Sequence, residues 1–238
     1  MISKLKSIIG RFLFSIVPIP TVYLSFSQAG EDSIINFLFN DKKINNPTYL
    51  DIGTNDPCLS NNTYLFYRKG ARGVCVEANK YFIPSIKRKR PGDKVLNVGV
   101  SVNAASEADF YIFGDARAAS TFSKEEAESR AGFGTYKITS VIKVPLIGIN
   151  QLIKDNFDSF PTFLSIDIEG LDFEVLKTLN FELYPIPVIC IETCEYSENH
   201  IRPKNQEVTD FLEPKGYEVY GDTYINTIFV NKKWFYKT

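Results

Sequence analysis

The sequence has few of the side chains that bind metals through sulfur or imidazole. Its four cysteines, Cys58, Cys75, Cys190 and Cys194, form no CxxC pair, and its only histidine is His200. This pattern excludes a zinc site of the usual cysteine and histidine spacing. Cys75 and Cys190 lie in apolar, strand-like runs, which indicates buried free thiols. Free thiols are typical of a reducing compartment, so we expect a cytoplasmic protein.

Two glycine-rich phosphate-binding motifs are also missing. The chain contains neither G-x-G-x-x-G nor G-x-x-x-x-G-K-[ST]. Pyrophosphate cradling and an NTPase loop are therefore unsupported. An excess of positive charge is missing as well, because 27 basic residues face 28 acidic ones. This balance argues against a nucleic acid partner.

Residues 1–26 lack both acidic side chains and a long uninterrupted apolar run. Apolar residues recur there at helical spacing, but Pro18 and Pro20 interrupt the run before the roughly 20 residues that a spanning helix needs. No small-x-small cleavage site follows, which argues against a signal peptide. We expect a separate extension, an amphipathic helix bearing Lys4, Lys6 and Arg11. It either contacts the inner face of a membrane or packs on its own domain or a second subunit. The oligomeric state does not follow from the sequence.

Residues 27–238 alternate between strand and helix patterns and are expected to form a single α/β domain. The alternation predicts a doubly wound, mostly parallel sheet, with helices on both faces. Two closing strands are separated by only three residues, so one strand near the C-terminus must be antiparallel. Two further strands flank segment 114–135, which we expect to be a functional loop. The predicted strands cover 49–52, 73–77, 95–100, 108–113, 140–147, 162–167, 186–191, 217–220 and 224–230. The first helix should begin near Glu31, with Ser27 as its N-cap.

The first strand-helix-strand unit carries the residues that indicate a nucleoside ligand. The first strand ends at Asp51 and Gly53, with Asn55 and Asp56 following, and Glu77 ends the next strand. Ligands of doubly wound sheets bind at these carboxyl ends, where an acid can accept both ribose hydroxyls. Gly53 would let the ligand approach the backbone closely. Asp51 and Asp56 repel phosphate and suit a cationic ligand such as S-adenosylmethionine; alternatively, they only cap the turn and the following helix.

Six sequence blocks follow one another along the chain: SQAGED at 27–32, YLDIGTNDP at 49–57, SNNTYLFYRKG at 60–70, LNVGVS at 96–101, LSIDIEG at 164–170 and VICIET at 188–193. In this order they resemble the FkbM family of S-adenosylmethionine-dependent methyltransferases. The resemblance covers about residues 27–230. It implies a class I, Rossmann-like methyltransferase fold with seven strands, and methyl transfer to an oxygen nucleophile, often on a sugar or a polyketide.

The resemblance also adds candidate cofactor contacts. It suggests that the first block covers the cofactor, with Gln28 and Asp32 facing it; simple capping of the helix is the alternative. It makes Ser101 a further candidate. Arg117, in the 114–135 segment, could bind an anionic group of the acceptor, or it is simply solvated. The basic run 87–90 is expected to be a solvated helix end, which adds to the membrane attraction of the N-terminal helix only if both face the same way.

Three carboxylates mark the expected reacting end. Asp167 and Glu169 end one predicted strand on the same face, and Glu192 ends the next strand. An acceptor hydroxyl must lose its proton to a side-chain base or be acidified by a divalent metal. We therefore predict Asp167 and Glu169 as catalytic residues, with His200 as a candidate base. The three carboxylates together are candidate ligands for Mg²⁺ or Mn²⁺. Alternatively, Asp167 binds the methionine amino group and Glu169 caps the next helix.

These observations together predict O-methylation of a hydroxyl on a glycan, such as a cell-surface polysaccharide, or on a related small molecule. Two alternatives remain. One is a nucleoside-binding module without catalysis. The other is an NAD-type dehydrogenase, which the missing glycine motif disfavours.

Overall fold

The computed structural model describes residues 24–114, 119–132, 137–168, 170–194 and 204–237. The strands are β1 (Tyr49–Ile52), β2 (Gly73–Val76), β3 (Lys94–Leu96), β4 (Gly99–Ser101), β5 (Glu107–Phe113), β6 (Ile138–Gly148), β7 (Phe163–Ile166), β8 (Val188–Glu192), β9 (Tyr217–Asp222) and β10 (Asn226–Asn231). The helices are α1 (Glu31–Asp41), α2 (Tyr64–Arg68), α3 (Ile83–Lys89), α4 (Lys124–Gly132), α5 (Ile149–Asn156), α6 (Asp172–Lys177), α7 (Glu207–Leu212) and α8 (Lys232–Phe235), with a 3-10 turn at Glu213–Lys215.

Seven strands form one twisted sheet in the order β3-β2-β1-β7-β8-β10-β9. Neighbours from β3 to β8 pair in parallel, and β10 is antiparallel to both β8 and β9. The reversal follows from the short connection between β9 and β10, which cannot carry the chain back across the sheet. The prediction of a mostly parallel sheet with one reversed strand near the C-terminus is confirmed.

The sheet is buried on both faces, which is why its central strands consist mainly of short apolar runs. Every residue of β1 and β7 is buried. Leu50 and Ile52 of β1 pack on one face with α5, α6 and α7. Tyr49 packs on the other face with α1 and α2. Cys75 and Cys190 are buried free thiols, and burial raises the pKa of both.

The predicted strand 95–100 is in fact two strands that belong to different sheets. β3 is the edge of the large sheet, whereas β4 pairs with β6 in a second sheet of order β4-β6-β5. The chain changes sheet within two residues, and the Asn97 side chain fixes this link by donating to the carbonyl oxygens of Glu77 and Ala78 at 2.8 and 2.9 Å. Segment 114–135, predicted to be a loop, contains helix α4. Arg117 lies outside the described residues.

The start of α1 differs slightly from the prediction. Gly30 occupies the N-cap with φ 96°, a left-handed conformation that glycine adopts readily. Ser27 still serves the helix start, since its Oγ accepts the backbone N–H of Asp32 at 3.2 Å. The extension that we predict as an amphipathic helix lies almost wholly outside the described residues. Across the part of the chain that the structure describes, no helix has the length and apolar character needed to cross a membrane.

Candidate cofactor pocket and reacting end

A pocket of about 590 Å³, open to solvent, lies at the carboxyl ends of β1, β2 and β7. This is the edge at which doubly wound sheets bind their ligands. Its lining residues include four that the sequence analysis names as candidate contacts: Gly53, Asn55, Glu77 and Asp167. The small sheet supplies much of the opposite wall. The four predicted residues therefore come together around one cavity.

Gly53 is required by the fold itself. Its φ is 84°, and a Cβ at this position would lie 1.8 Å from the backbone oxygen of Asp167. Its N–H donates to the carbonyl of Val76 at 2.9 Å. The sequence predicts a close approach of backbone to ligand at Gly53. The structure shows a close approach of two strand ends, which brings the residues after β1 and β7 to the same side of the pocket.

Glu77 is a buried carboxyl group of the pocket whose pKa is shifted. Its side chain is buried and accepts backbone N–H groups from Asn79 at 2.6 Å and Asn55 at 2.8 Å. Burial raises the pKa of Glu77 to about 7, although the two N–H bonds act in the opposite direction. An ionisable acid held in place at the end of β2 is suited to accept hydrogen bonds from a pair of hydroxyls.

Two aromatic side chains that sequence analysis did not single out, Phe110 and Phe122, also line the pocket. Their rings have centroids 4.6 Å apart. Phe122 also covers Gly99, where a Cβ would lie 2.4 Å from the Phe122 Cζ. A pocket lined by both polar and aromatic side chains fits a ligand with a hydroxylated sugar and a flat base. The alternating apolar residues of 107–113 predict a strand. They do not show that this strand would line a ligand pocket.

Asp51 does not line the pocket, which corrects its predicted role at the cationic end of the cofactor. Its Oδ2 accepts hydrogen bonds from Arg90 at 3.2 Å, Asn61 at 3.2 Å and Thr63 at 2.8 Å. Asp51 is 3% exposed and Arg90 is 0% exposed. The carboxylate is thus committed to a buried ion pair beneath the pocket. Alternation along β1 explains this, since Asp51 points to the face opposite Ile52.

Arg90 is the centre of that buried polar network. Its Nε donates to Asp93 at 2.7 Å, and its guanidinium lies 5.3 Å from the centre of the Tyr49 ring. The Tyr49 hydroxyl donates to the same Asp93 carboxylate at 2.8 Å, and burial raises the pKa of that phenol. The expectation of a solvated helix end at 87–90 is therefore wrong for Arg90, although the three preceding basic residues are exposed.

The first sequence block ties down the start of α1 and does not face the pocket. Asp32 is buried, and its carboxylate accepts hydrogen bonds from the Ser25 hydroxyl at 2.6 Å and the Phe26 N–H at 2.7 Å. It also accepts from the Ser27 hydroxyl at 3.0 Å. Gln28 is exposed and is not among the residues lining the pocket. The capping alternative therefore describes this block better than a lid.

Two other predicted cofactor contacts are also engaged locally. The Asp56 carboxylate accepts the N–H groups of Cys58 and Leu59 at 2.8 and 2.9 Å. These bonds form an Asx-turn. The Ser101 hydroxyl donates to the carbonyl oxygens of Asn103 and Ala105. Neither side chain lines the pocket. Both side chains stabilise the loops next to the pocket.

Asp167 belongs to a cluster of three carboxylates at the reacting end. Oxygen atoms of Asp167, Asp172 and Glu192 all lie within 4.8 Å of one another. Asp172 was not predicted; it accepts the N–H groups of Ile168 and Gly170 at 2.9 and 3.1 Å. An acid in the first turn of a helix was its only sequence signal. Glu169 and His200 lie outside the described residues, so their predicted roles stay predictions.

The cluster has the oxygen chemistry that Mg²⁺ or Mn²⁺ requires. Such groups are also common without a metal. A metal held by Asp167, Glu169 and Glu192 therefore stays a prediction from the sequence.

The strand order, the reversed β10 and the pocket at the carboxyl ends define a Rossmann-like methyltransferase fold of class I. The chain belongs to the FkbM methyltransferase family, because the family model described as the methyltransferase FkbM domain matches residues 51–219. No curated protein matches the sequence significantly.

Two solved structures are similar to the chain. One is the methyltransferase FkbM from Methylobacillus flagellatus KT, at 13% identity and a TM-score of 0.44, covering 78% of this chain. This chain spans 44% of the length of that protein. The other is a TehB-like SAM-dependent methyltransferase from Corynebacterium glutamicum ATCC 13032 Kitasato, at 10% identity and a TM-score of 0.41. That match covers 97% of this chain and 98% of the other.

Proposed function

We propose that this methyltransferase uses S-adenosylmethionine and methylates a hydroxyl group of a glycan or a related small molecule. The observation that carries the cofactor assignment is Glu77, a buried carboxyl group at the end of β2 that faces the pocket. A carboxylate in this position is suited to bind the two ribose hydroxyls of a nucleoside. S-adenosylmethionine supplies an electrophilic methyl group on a sulfonium when it is bound.

The donor set of the pocket supports this cofactor over phosphate-bearing ones. Phe110 and Phe122 offer an apolar surface for adenine. The carboxyl groups of Glu77 and Asp167 also line the pocket and disfavour an anionic group there. None of the described residues that line the pocket is an arginine or a lysine. An NAD-type cofactor would place its pyrophosphate among these carboxyl groups.

A carboxyl group at the reacting end supports a hydroxyl as the acceptor. An alcohol is a poor nucleophile until its proton is removed, and Asp167 is the described carboxylate that lines the pocket at this point. Holding the hydroxyl in line with the methyl group is the other main requirement. A sugar or polyketide hydroxyl as acceptor rests on the family resemblance.

Titration calorimetry with S-adenosylmethionine and with NAD tests the cofactor. We expect binding of the first and none of the second; the reverse result would overturn the proposal. Methyl transfer is then measured with isotopically labelled cofactor on polysaccharide and small-molecule fractions. Cofactor binding without turnover on any acceptor would favour the second candidate, a nucleoside-binding module.

We also propose that the protein acts in the cytoplasm. The support is its cysteine chemistry: Cys58, Cys75 and Cys190 are free thiols, and Cys75 and Cys190 are buried. Chains that work in oxidising compartments generally pair their cysteines. Cell fractionation with a fluorescent fusion tests this, and a secreted or periplasmic pool would contradict it.

A further inference from the structure

The charge of the protein is distributed unevenly along the chain. Residues 57–106 contain nine basic and two acidic side chains, a net charge of +7, whereas the whole chain has a net charge of −1. Both acids are buried: Glu77 is 6% exposed, and the side chain of Asp93 is 0% exposed in its ion pair with Arg90. The surface of this stretch therefore displays positive charge without an exposed carboxylate.

Seven of these basic side chains gather at the amino-terminal edge of β1, β2 and β3. They are exposed residues at the ends of α2 and α3 and at or just before the starts of β2 and β3. The parallel register brings these strand starts side by side, pairing Tyr49 with Gly73 and Val74 with Lys94. We call these seven residues the basic edge: Arg68, Lys69, Arg72, Lys87, Arg88, Lys89 and Lys94.

Contacts join the two helical parts of the basic edge into one surface. Arg72 lies over the Tyr67 ring of α2 at 4.7 Å and also packs on Gly92 after α3, where a Cβ would lie 2.3 Å from its Nε. Within the described ranges, none of the seven forms an ion pair with a carboxylate. Their positive charge is therefore not neutralised by the protein.

The basic edge is not part of the methyltransferase site. The pocket lies at the carboxyl ends of the strands. The basic edge lies at their amino ends, which is the opposite edge of the sheet. A cofactor or acceptor in the pocket cannot account for seven uncompensated cations there. Keeping so many like charges together opposes folding, because they repel one another. An anionic surface outside the protein would remove that repulsion.

We propose that the basic edge docks the protein on an anionic membrane surface. Each exposed lysine or arginine near such a surface strengthens binding about fivefold. A membrane is favoured over other polyanions by the composition of the N-terminal segment. Residues 1–23 contain no acid, carry Lys4, Lys6 and Arg11, and have apolar residues at helical spacing.

The described chain that follows this segment packs against the start of α2. The carbonyl of Phe26 accepts the N–H of Asn61 at 2.9 Å, and the Phe26 ring contacts Tyr64, the first residue of α2. Helix α2 runs from this contact to Arg68, the first residue of the basic edge. Leu24, just before Phe26 in the chain, is exposed. An apolar segment and a cationic surface together supply the two signals that stable membrane attachment takes.

Co-sedimentation of the full chain with lipid vesicles tests the proposal. We compare vesicles of equal parts phosphatidylglycerol and phosphatidylcholine with vesicles of phosphatidylcholine alone. The variant Lys87→Gln/Arg88→Gln/Lys89→Gln should bind the anionic vesicles about 100-fold more weakly than the unaltered protein. A matched control, Lys124→Gln/Lys143→Gln/Lys154→Gln, removes the same charge from exposed sites elsewhere. It should lose less than about threefold, because more distant charges are screened.

Three results would overturn the proposal. The first is equal vesicle binding by the α3 variant and the unaltered protein, which would leave attachment to residues 1–23 alone. The second is equal loss in both variants, which would indicate a general effect of net charge. The third is binding to soluble dextran sulfate with no binding to anionic vesicles, which would point to a polyanionic molecule in solution.

Discussion

Glu77 and Asn55 join the ends of two neighbouring strands through a 2.8 Å hydrogen bond from the Asn55 backbone N–H to the Glu77 carboxylate. Asn55 has a φ of 52°, a left-handed conformation that asparagine adopts more readily than most residues. The turn after β1 and the acid after β2 are therefore one unit. The acid is held in place before any ligand arrives, which lowers the cost of ordering it on binding.

Replacing Glu77 should weaken cofactor binding without unfolding the protein. In Glu77→Gln the charged acceptor for the ribose hydroxyls is lost, which costs roughly 10- to 100-fold in affinity. Titration calorimetry with S-adenosylmethionine measures the change. The exposed Glu182→Gln is the matched control and should bind normally. Full affinity in Glu77→Gln would contradict the ribose assignment.

Cofactor affinity should depend on pH through the same carboxyl group. The pKa of Glu77 is about 7 in the folded protein, and only the ionised form offers a full charge to the ribose hydroxyls. Affinity should therefore rise as the pH passes through 7, and fall by up to about tenfold per pH unit below it. Calorimetry from pH 5.5 to 8.5, roughly bracketing that pKa, measures this. A slope retained in Glu77→Gln would show that another group is responsible.

The stability of the free protein should show the opposite trend. Because the folded pKa of Glu77 lies above its ordinary value of 4.5, the native state binds more protons than the unfolded state between those values. Considered by itself, the Glu77 carboxyl group makes the free energy of unfolding fall as the pH rises between these two pKa values. Denaturant titrations should show a shallower fall, or none, in Glu77→Gln.

Gly53→Ala should destabilise the fold strongly. The added Cβ would overlap the Asp167 backbone oxygen, and alanine resists the positive φ at this position. We expect a loss of roughly 2 to 5 kcal/mol in the free energy of unfolding, measured by chemical denaturation. Gly148→Ala, where φ is −69° and the space is open, is the control and should change it by less than about 1 kcal/mol. Equal effects of the two would contradict this packing.

Arg90→Met should leave two buried carboxylates without their cation. Asp51 and Asp93 both depend on Arg90, so we expect a loss of about 3 to 5 kcal/mol in the free energy of unfolding. The exposed neighbour Arg88→Met should change it by less than about 0.5 kcal/mol. In the same experiments Asp51→Asn should lose stability yet keep its affinity for S-adenosylmethionine. A selective loss of affinity in Asp51→Asn would restore this residue to the cofactor site.

Asp167→Asn should reduce turnover more than cofactor binding. If its carboxylate receives the acceptor proton, kcat should fall roughly 10²- to 10⁴-fold. Exposed Asp109→Asn is the control and should turn over normally. The same assay in excess EDTA addresses the metal: activity that is lost and then restored by Mg²⁺ or Mn²⁺ would support an ion at the carboxylate cluster. Normal turnover by Asp167→Asn would remove this residue from the chemistry.

The large sheet could be predicted because its strands are short apolar runs separated by strong turn signals. The reversal of β10 was also predictable, since a three-residue connection permits only an antiparallel neighbour. The division between β3 and β4 was not, because both halves of 95–100 have the same alternation. Nothing in a local pattern shows that one half pairs with β2 and the other with β6.

The site residues at the ends of strands could be predicted from the sequence. Residues whose role depends on a partner far away in the chain could not. Gly53, Glu77 and Asp167 come together because parallel strands end at one edge. The role of Asp51 depends on Arg90, which is 39 residues away in the chain and follows α3. Asp172 was missed because its side chain reaches back to the loop before it, which the local acid pattern does not reveal.

The small sheet is attached to the large one at two places that are close to the pocket. The chain leaves the large sheet at Asn97, just after β3, and returns where β6 runs directly into α5 at Ile149. Between these points lie Phe110 and Phe122, so the insert supplies the apolar surface of the pocket while the large sheet supplies its carboxyl groups. Exchanging this insert would therefore change the cofactor pocket as well as the space beside it, and the two would have to evolve together.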